Sequence, residues 1–251
     1  MDQSKDQSKG QGKELSKDQG QDQDQAKDPA KARALDRTME RAKDSGSAKT
    51  LWRQRLRPLR LERARPCQAA ILAGARRELL ALLPPGTRLG LYWPLAGEID
   101  LRGLADLPGD GPGTALGHRL ALPAVAGVPG QATLAYRAWQ PGEPLEPDLC
   151  SIPAPLGPAL VPGALGLLLV PALGFDRQGI RLGSGGGWYD RLRADPAWRA
   201  VPALAVLPAA CLVEQLPRDP WDVPFDGWLD ETGVHPLAPD WPPSPGWGRP
   251  A

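Results

Sequence analysis

A glycine-rich segment flanked by arginines is the part of this sequence best suited to chemistry. Residues 181–191 are RLGSGGGWYDR, so four of the five positions 183–187 are glycine. Glycine reaches backbone conformations closed to other residues, which lets successive amides point at one anion. Arg181 and Arg191 could bind phosphate oxygens, and Asp190 could bind Mg²⁺. The segment therefore predicts a phosphate site, with a flexible glycine turn as the alternative.

Several other site types are excluded by residue types alone. A Walker loop needs a Gly-Lys pair, but all eight lysines lie at or before Lys49. A Rossmann fingerprint needs GxGxxG directly after a strand, whereas GxGGG stands well beyond the apolar run 165–170. Two histidines cannot form a histidine relay, and three scattered cysteines predict neither a zinc ribbon nor a disulfide framework.

Alternating strands and helices must position the glycine loop. The run LGLLLV at 165–170 is apolar at nearly every position, which is typical of a strand buried on both faces of a parallel sheet. Further strands are predicted at 88–93, 118–123, 131–139, 203–207 and 227–229, and helices at 49–63, 68–83, 99–107 and 188–193. Pro58 should kink or end the first helix.

This pattern predicts an α/β fold, with a three-layer, mostly parallel, Rossmann-like sheet and helices on both faces in a single domain. In such sheets ligands bind outside the carboxyl ends of the strands. The loop that follows 165–170 is therefore the expected binding region.

Composition divides the chain near residue 50. Residues 1–50 hold 11 basic and 10 acidic side chains but no aromatic residue, Val or Ile, while all nine tryptophans follow. We expect a disordered low-complexity tail at 1–46, the α/β domain at 47–236 and a Pro-rich tail at 237–251. A weak interaction tether is the alternative role for the first tail, and translation from Met39 instead of Met1 is a further hypothesis.

Net charge and hydropathy limit the classes of binding partner that the sequence predicts. The formal net charge is +1 at pH 7, which gives no overall field toward nucleic acid or an anionic membrane. No apolar stretch is long enough to span a bilayer, and the first residues lack the apolar core of a secretory signal. We therefore expect binding to neither nucleic acid nor membrane, and we further expect a cytoplasmic monomer.

Several blocks, in order along the chain, match the pattern of one known family. Lys49 to Arg53 is similar to its opening helix, and LYWP at 91–94 with Glu-Ile-Asp at 98–100 to its first strand and acid. Leu-Pro at 122–123 matches its second strand end, VPALGFD at 170–176 the strand before its signature, and 211–224 its C-terminal block. RLGSGGGWYDR closely resembles the RLGxGGGYYDR signature of the 5-formyltetrahydrofolate cyclo-ligases, or methenyltetrahydrofolate synthetases.

The resemblance implies an enzyme, a 5-formyltetrahydrofolate cyclo-ligase with Mg²⁺ as cofactor and ATP as co-substrate. Such enzymes convert 5-formyltetrahydrofolate to 5,10-methenyltetrahydrofolate and release ADP and phosphate. The γ-phosphoryl group goes to the formyl oxygen, and N10 then attacks the activated carbon. Phosphoryl transfer needs positioning and charge neutralisation more than a protein nucleophile, which suits a chain without a catalytic triad. The alternatives are an inactive folate- or nucleotide-binding relative, and an isomerase or transferase on a similar layout.

Matching the family pattern residue by residue implies four groups of site residues. Arg181 and Asp190 are the catalytic candidates. The implied ATP site comprises Lys49, Arg53, Arg181, Leu182, Gly183, Ser184, Gly185, Gly186, Gly187, Trp188 and Tyr189. The implied folate site comprises Trp93, Glu98, Ser184, Gly185, Gly186, Gly187 and Trp188. Asp190 and Asp226 match the Mg²⁺ ligands, with Asp222 as the nearby rival of Asp226.

Each of these roles has a structural alternative. Lys49 could be one more lysine of the tail, and Glu98 could cap the helix predicted at 99–107. Trp93 and Trp188 are of a type found more often in cores than at ligands. Ser184 and Trp188 also depart from the family pattern, although neither change removes a charge that the chemistry needs.

Overall fold

The computed structural model describes residues 45–109, 113, 115–128, 130–239 and 241, all within one compact unit. The tail predicted at 1–46 lies outside these residues except for its last two positions, and Met39 lies outside them too. Of the tail predicted at 237–251, only residues 237–239 and 241 are described. The predictions for both tails therefore stay predictions.

The first described element is one long helix, α1 (Ser45–Leu82), which runs through both Pro58 and Pro66. The helices predicted at 49–63 and 68–83 are thus a single element, and Pro58 does not end it. A proline removes one helical hydrogen bond, but most of the stability of a helix in a protein comes from tertiary packing. Leu56 before the prolines and Ile71 after them are both almost completely buried, so packing holds the helix on either side.

Among the described residues, twelve strands and two further short helices follow α1. The strands are β1 (Arg88–Gly90), β2 (Leu120–Ala126), β3 (Thr133–Trp139), β4 (Leu145–Pro147), β5 (Pro153–Pro155), β6 (Leu165–Pro171), β7 (Gly174–Asp176), β8 (Arg181–Leu182), β9 (Ala203–Val206), β10 (Leu212–Val213), β11 (Gly227–Asp230) and β12 (Gly233–Pro236). The helices are α2 (Trp188–Ala194) and α3 (Pro196–Arg199). Single 3₁₀ turns occupy Arg102–Asp106, Leu116–Arg119, Pro162–Ala164 and Ala209–Cys211, so the helix predicted at 99–107 is only a 3₁₀ turn.

Seven strands form the central sheet in the order β12-β11-β9-β6-β1-β2-β3. The inner pairs are parallel, whereas β2–β3 and β11–β12 are antiparallel hairpins at the two edges. The prediction of an α/β fold with a mostly parallel sheet is confirmed. Strand β12 was not predicted, because its four residues carry little apolar pattern.

Both faces of the sheet are covered, as the apolar sequence of β6 requires. Leu167 and Leu169 belong to the core that includes Ile71 of α1. Leu168 and Val170 belong to a second core that includes Leu192 of α2. Side chains alternate between the two faces along a strand, so these two pairs of side chains point to opposite layers. The helices therefore lie on both faces, as predicted.

The loops that follow β1 and β6 leave the same edge of the sheet, because these two strands are parallel neighbours. The first loop carries residues 91–98, and the second leads through β7 and β8 to the glycine loop and α2. In the part of the chain that the structure describes, no helix is long and apolar enough to cross a membrane.

Candidate functional site

One cleft of about 490 Å³ gathers nearly all of the predicted site residues. Helix α1, the loop after β1 and the glycine loop each contribute to its walls. The predicted residues that line it are Lys49, Arg53, Trp93, Glu98, Arg181, Leu182, Gly183, Ser184, Gly185, Gly186, Gly187, Trp188, Tyr189 and Asp190. Asp222 also lines the cleft, and Asp226 does not. The structure thus brings together residues that lie up to 173 positions apart, and it favours one of the two rival carboxylates.

The glycine loop follows a path that side chains would obstruct. Gly185 and Gly187 have φ values of +120° and +63°, which L-residues rarely adopt. A Cβ atom on Gly183 would lie 2.7 Å from an Arg181 guanidinium nitrogen, and one on Gly186 would lie 2.8 Å from the Trp188 ring. Backbone amides therefore form part of the cleft wall, where side chains would otherwise cover them.

Arg181 is the central anchor of this loop. Its Nη1 donates a hydrogen bond to the Pro171 carbonyl oxygen at 3.0 Å, and its Nη2 lies 3.7 Å from an Asp190 carboxylate oxygen. The guanidinium also stands 5.2 Å from the centre of the Tyr189 ring. Its Nε atom is buried and has no hydrogen-bond partner among the described residues. Arg181 thus joins β6 to the start of α2 and retains unused donor capacity.

Helix α1 is tied directly to the glycine loop. Arg53 donates a hydrogen bond from Nε to the Gly183 carbonyl oxygen at 3.1 Å. At the other end of the loop, the Arg191 guanidinium lies 4.4 Å from the centre of the Trp188 ring. These contacts place two more permanent cations at the cleft.

Lys49 is a buried residue of the cleft, not a solvated tail lysine. Its Nζ lies 2.7 Å from an Asp219 oxygen and 2.6 Å from an Asp222 oxygen. Burial by itself lowers the pKa of Lys49, but hydrogen bonds to the two carboxylates outweigh it and raise the pKa above its usual value. The ammonium is therefore charged and lies between two carboxylates.

Asp226 lies on a different side of α2. One of its carboxylate oxygens accepts a hydrogen bond from the Ala203 amide at 2.8 Å and lies 3.8 Å from Arg193 Nη2. Burial raises its pKa, which the amide and Arg193 only partly oppose. Asp226 therefore joins β9 to α2 by structural contacts and does not reach the cleft that holds Asp190. Among the described residues, no group of three or more His, Cys, Asp or Glu side chains forms a ready metal cluster.

Glu98 is held firmly in the loop after β1. One oxygen accepts from the Leu95 amide at 3.0 Å, and the other accepts from Arg60 at 3.2 Å. The 3₁₀ turn that begins at Arg102 has no side-chain cap, so Glu98 is not the capping residue considered above.

The indole of Trp93 is partly covered by protein. Its ring meets Trp139 edge-on at 6.4 Å between centroids, and the Arg102 guanidinium lies 4.2 Å from its centre. Trp93 is therefore both a cleft residue and a packed residue. A ligand in the cleft could contact only the part of the ring that Trp139 and Arg102 leave open.

Sequence reasoning missed several residues of this region. Asp219, Tyr92 and Trp221 line the cleft, and Arg60 lies behind Glu98. Tyr92 donates a hydrogen bond from its hydroxyl to the Ile99 carbonyl oxygen at 2.6 Å, which fixes the loop that carries Glu98. The sequence DPWD at 219–222 was a usable signal, because it places two carboxylates and an aromatic ring within the C-terminal block.

Four cationic side chains, those of Lys49, Arg53, Arg181 and Arg191, share the cleft with the carboxylates of Glu98, Asp190, Asp219 and Asp222. The cleft is thus rich in charge yet nearly balanced. A polyanionic ligand would meet fixed cations here, but it would still need added positive charge near the carboxylates.

Fold and cleft together define the class: an α/β protein with a charged cleft at the carboxyl ends of its parallel strands. Residues 135–230 match the sequence profile of the 5-formyltetrahydrofolate cyclo-ligase family. This stretch contains the glycine loop, Asp190 and Asp222. Over this stretch, which is less than half of the chain, the sequence is similar to that family.

Relatives by sequence carry the same family name. A 5-formyltetrahydrofolate cyclo-ligase of Mycolicibacterium smegmatis is 37% identical over 114 residues, which cover 43% of this chain and 57% of the relative. The Escherichia coli K12 enzyme of that name is 38% identical over 61 residues, which cover 24% of this chain and 34% of the relative. The matches thus span little more than half of the first relative and a third of the second.

Two solved structures share the fold. The Aquifex aeolicus 5,10-methenyltetrahydrofolate synthetase superposes with a TM-score of 0.55 and 26% identity, covering 75% of this chain and 92% of that protein. A 5,10-methenyltetrahydrofolate synthetase from Mycoplasma pneumoniae gives a TM-score of 0.53 at 18% identity, covering 73% of this chain and 98% of that protein. The second likeness concerns the fold alone.

Proposed function

We propose that this protein is a 5-formyltetrahydrofolate cyclo-ligase that uses ATP and Mg²⁺ to form 5,10-methenyltetrahydrofolate. The observation that carries the proposal is the single cleft in which the glycine loop, Lys49, Arg53 and Arg181 meet Glu98. A phosphate-binding wall and a carboxylate wall in one cavity suit a reaction between a nucleotide and a polar organic substrate.

The ATP half of the cleft would consist of the glycine loop and the cations around it. Loop amides and the guanidinium groups of Arg53 and Arg181 would donate hydrogen bonds to phosphate oxygens. The unpartnered Nε of Arg181 supports this role, since a buried donor without a partner is costly unless a ligand satisfies it. Lys49 would add a further charge once its carboxylate partners are engaged elsewhere.

Asp190 and Asp222 are the residues that would hold Mg²⁺, because both line the cleft and hard cations prefer carboxylate oxygens. The near balance of charges among the lining side chains supports the need for such a cation. When bound, Mg²⁺ would neutralise charge that builds up on the transferring phosphoryl group. Asp226 is not assigned this role, because it hydrogen-bonds to Ala203 outside the cleft.

The folate half would be formed by Glu98, Trp93 and Trp188. Glu98 offers acceptor oxygens to the donor edge of a pterin ring, and the two indoles offer apolar surface to flat rings. Ser184 to Gly187 would lie between the two substrates, since the glycine loop forms the wall that both halves share.

In the proposed reaction, the formyl oxygen of the folate attacks the γ-phosphorus of ATP and ADP leaves. N10 then attacks the activated formyl carbon to close the ring, and inorganic phosphate leaves. The contribution of this chain would be to hold the formyl oxygen in line with the phosphoryl group and to stabilise the developing charge with Arg53 and Arg181. No side chain needs to form a covalent bond to substrate.

A second candidate is a family member that binds folate or nucleotide without turnover. The observation that favours it is the pairing of Lys49 with Asp219 and Asp222, which occupies the ammonium and a candidate Mg²⁺ ligand together. The two candidates differ in whether ligand binding breaks this pairing.

Turnover by the purified full-length chain separates the candidates. The chain would be mixed with 5-formyltetrahydrofolate, ATP and Mg²⁺, and the methenyl product followed by its near-ultraviolet absorbance together with phosphate release. We expect equal amounts of methenyl product and phosphate, and neither when ATP or Mg²⁺ is omitted. Folate binding without methenyl product would favour the second candidate. If the chain neither binds folate nor forms product, the first candidate is refuted.

The proposal includes a monomer that acts on small molecules in the cytoplasm. Light scattering coupled to size-exclusion chromatography should give a mass near 26.8 kDa, and a mass of twice that value would contradict the monomer. A relative from Arabidopsis thaliana is named as mitochondrial, so localisation has to be measured in the source cell, by fractionation.

A further inference from the structure

Arg60 is a buried cation of α1 that the cleft does not include. Only 7% of the residue is exposed, although arginine is rarely buried without a partner. Lys49, Arg53 and Arg60 are spaced by four and seven residues, so they lie along one face of the helix. The first two line the cleft, and Arg60 lies behind it.

The guanidinium of Arg60 reaches the carboxylate predicted to recognise folate. Its Nη1 donates to a Glu98 oxygen at 3.2 Å and approaches the Ala172 carbonyl oxygen at 3.4 Å. The side chains of Arg60 and Glu98 are only 8% and 6% exposed. The other Glu98 oxygen is held by the Leu95 amide at 3.0 Å. Both ends of the carboxylate are therefore fixed by protein donors.

These two bonds leave part of the carboxylate available. An ionised carboxylate offers about four acceptor positions, and Arg60 and Leu95 use two of them. Glu98 lines the cleft, so a ligand with paired N–H donors could occupy what remains. Burying a carboxylate away from water is costly unless a counter-charge or several donors compensate it. Arg60 is the cation placed to do so.

We propose that Arg60 is a positioning residue for folate recognition, which holds the Glu98 carboxylate in place and aims its free acceptor positions at the donor edge of the pterin ring. This inference rests on the proposed function, since it assigns a supporting residue to the same site. Arg60 acts through Glu98 and does not touch the ligand. The competing explanation is purely structural: Arg60 would only join α1 to Ala172 and have no effect on ligand choice.

Separate binding measurements for the two substrates distinguish these explanations. On the full chain, tryptophan fluorescence or calorimetry would give the dissociation constants of 5-formyltetrahydrofolate and of ATP. We expect Arg60→Met to weaken folate binding about tenfold or more, since a buried charge is left unpaired, and to change ATP binding less than about twofold. Arg60→Lys retains the charge and should recover part of the folate affinity.

A double-mutant cycle with Glu98→Gln tests whether Arg60 works through Glu98. The double variant Arg60→Met/Glu98→Gln should bind folate no worse than the weaker single variant, because removing both charges leaves neither unpaired. Arg57→Met is the matched control, since Arg57 is an exposed arginine on the same helix and lies outside the cleft lining. It should leave both dissociation constants unchanged.

The outcomes separate this inference from the proposed function. If the wild-type chain binds and converts folate but Arg60→Met binds it equally well, or loses ATP and folate affinity alike, the inference fails alone. Additive losses in the double variant would also overturn it. If the wild-type chain binds no folate, both the proposed function and the inference about Arg60 are refuted. If Arg60→Met does not fold, the Arg60→Lys variant provides the test. Weaker binding of folate but not of ATP by this variant supports the positioning role, and unchanged folate affinity refutes that role.

Discussion

Asp222 and Asp226 are four residues apart, yet they face different parts of the molecule. Asp222 accepts hydrogen bonds from Lys49 and from the Asp219 amide at 2.7 Å, and it lines the cleft. Asp226 accepts from Ala203 and faces Arg193. Only the first has a position from which it could meet a ligand-bound cation. The sequence pattern alone could not decide between them, because both are acids in one Pro-interrupted loop.

Alanine substitution of each aspartate gives the first prediction. Asp222→Ala should raise the Mg²⁺ concentration for half-maximal activity about tenfold or more, because one candidate ligand is lost. Asp226→Ala should leave the Mg²⁺ dependence unchanged and lower the free energy of unfolding by about 1–3 kcal/mol, because the Ala203 amide loses its acceptor. A Mg²⁺ titration of activity and urea unfolding of each variant provide the measurements. The reverse pattern would assign the metal to Asp226.

Gly183 gives a second prediction at the same scale. A methyl group at this position would lie 2.7 Å from the Arg181 guanidinium, which the Pro171 carbonyl oxygen and Asp190 hold in place. Gly183→Ala should therefore displace Arg181 and lower kcat/KM by about ten- to a hundredfold, the equivalent of the 1–3 kcal/mol that overpacking costs.

Gly157→Ala is the control for that variant. A methyl group on Gly157 would meet no atom within 4 Å, and this glycine lies outside the cleft lining. Steady-state kinetics should be the same for this variant and the wild type. Wild-type kinetics in Gly183→Ala would show that Arg181 can move without consequence, against its proposed role.

At the scale of elements, the antiparallel hairpin β11–β12 forms one edge of the central sheet. The hairpin is held by Asp230, which is 2% exposed and accepts hydrogen bonds from the Trp228 indole at 2.8 Å and the Thr232 hydroxyl at 2.6 Å. Burial alone would raise the pKa of Asp230, but the hydrogen bonds from Thr232 and Trp228 outweigh it and lower the pKa. Asp230 should thus stabilise the hairpin as a carboxylate.

Asp230→Asn gives a third prediction, on the pH dependence of stability. A carboxyl group with a lowered pKa in the folded state contributes its full stability above the unfolded value of 3.8, and that contribution is lost as pH falls toward the folded value. At pH 7 the variant should be less stable by about 1–3 kcal/mol, and the difference should shrink as the pH falls below about 4. Urea unfolding of both proteins across this range checks it. A difference independent of pH would mean that the ionised state of Asp230 does not matter.

An element could be predicted from the sequence when the pattern that specifies it lies within a few consecutive residues. The apolar run of β6 and the glycine loop are each recognisable from a few consecutive residues, and the structure has both at the predicted positions. The contacts of Arg60 with Glu98 and of Lys49 with Asp219 join positions 38 and 170 residues apart. Such contacts depend on how α1 is rotated against the sheet, which no short pattern records. The continuity of α1 through Pro58 was missed for a related reason, because packing overrides local preference.

At the scale of the whole molecule, the cleft depends on the meeting of three separate parts of the described domain. Helix α1 supplies Lys49 and Arg53, the loop after β1 supplies Glu98, and the segment after β6 supplies the glycine loop. The two hydrophobic cores on opposite faces of the sheet hold these parts in place. All of the proposed site residues lie at or after Lys49, so we expect the cleft to form without residues 2–45.

Removal of residues 2–45 tests this division of the chain. The shortened protein keeps Lys49 with its partners Asp219 and Asp222, whose charges should hold the first turn of α1 against the domain. We expect kcat/KM and both substrate affinities within about twofold of the full chain, since no proposed site residue is lost. Adding Lys49→Met to the shortened chain should lower kcat/KM about tenfold or more, because Asp219 and Asp222 lose their shared cation.

The two shortened proteins also show the cause of any loss of activity. If the deletion alone lowers activity while circular dichroism and the urea midpoint match those of the full chain, residues before α1 must contribute to ligand binding. If the deletion lowers the midpoint and activity together, and high ligand concentration restores both, the first turn of α1 needs the preceding chain for its stability. Equal activity with and without Lys49→Met would instead remove Lys49 from the proposed ATP site.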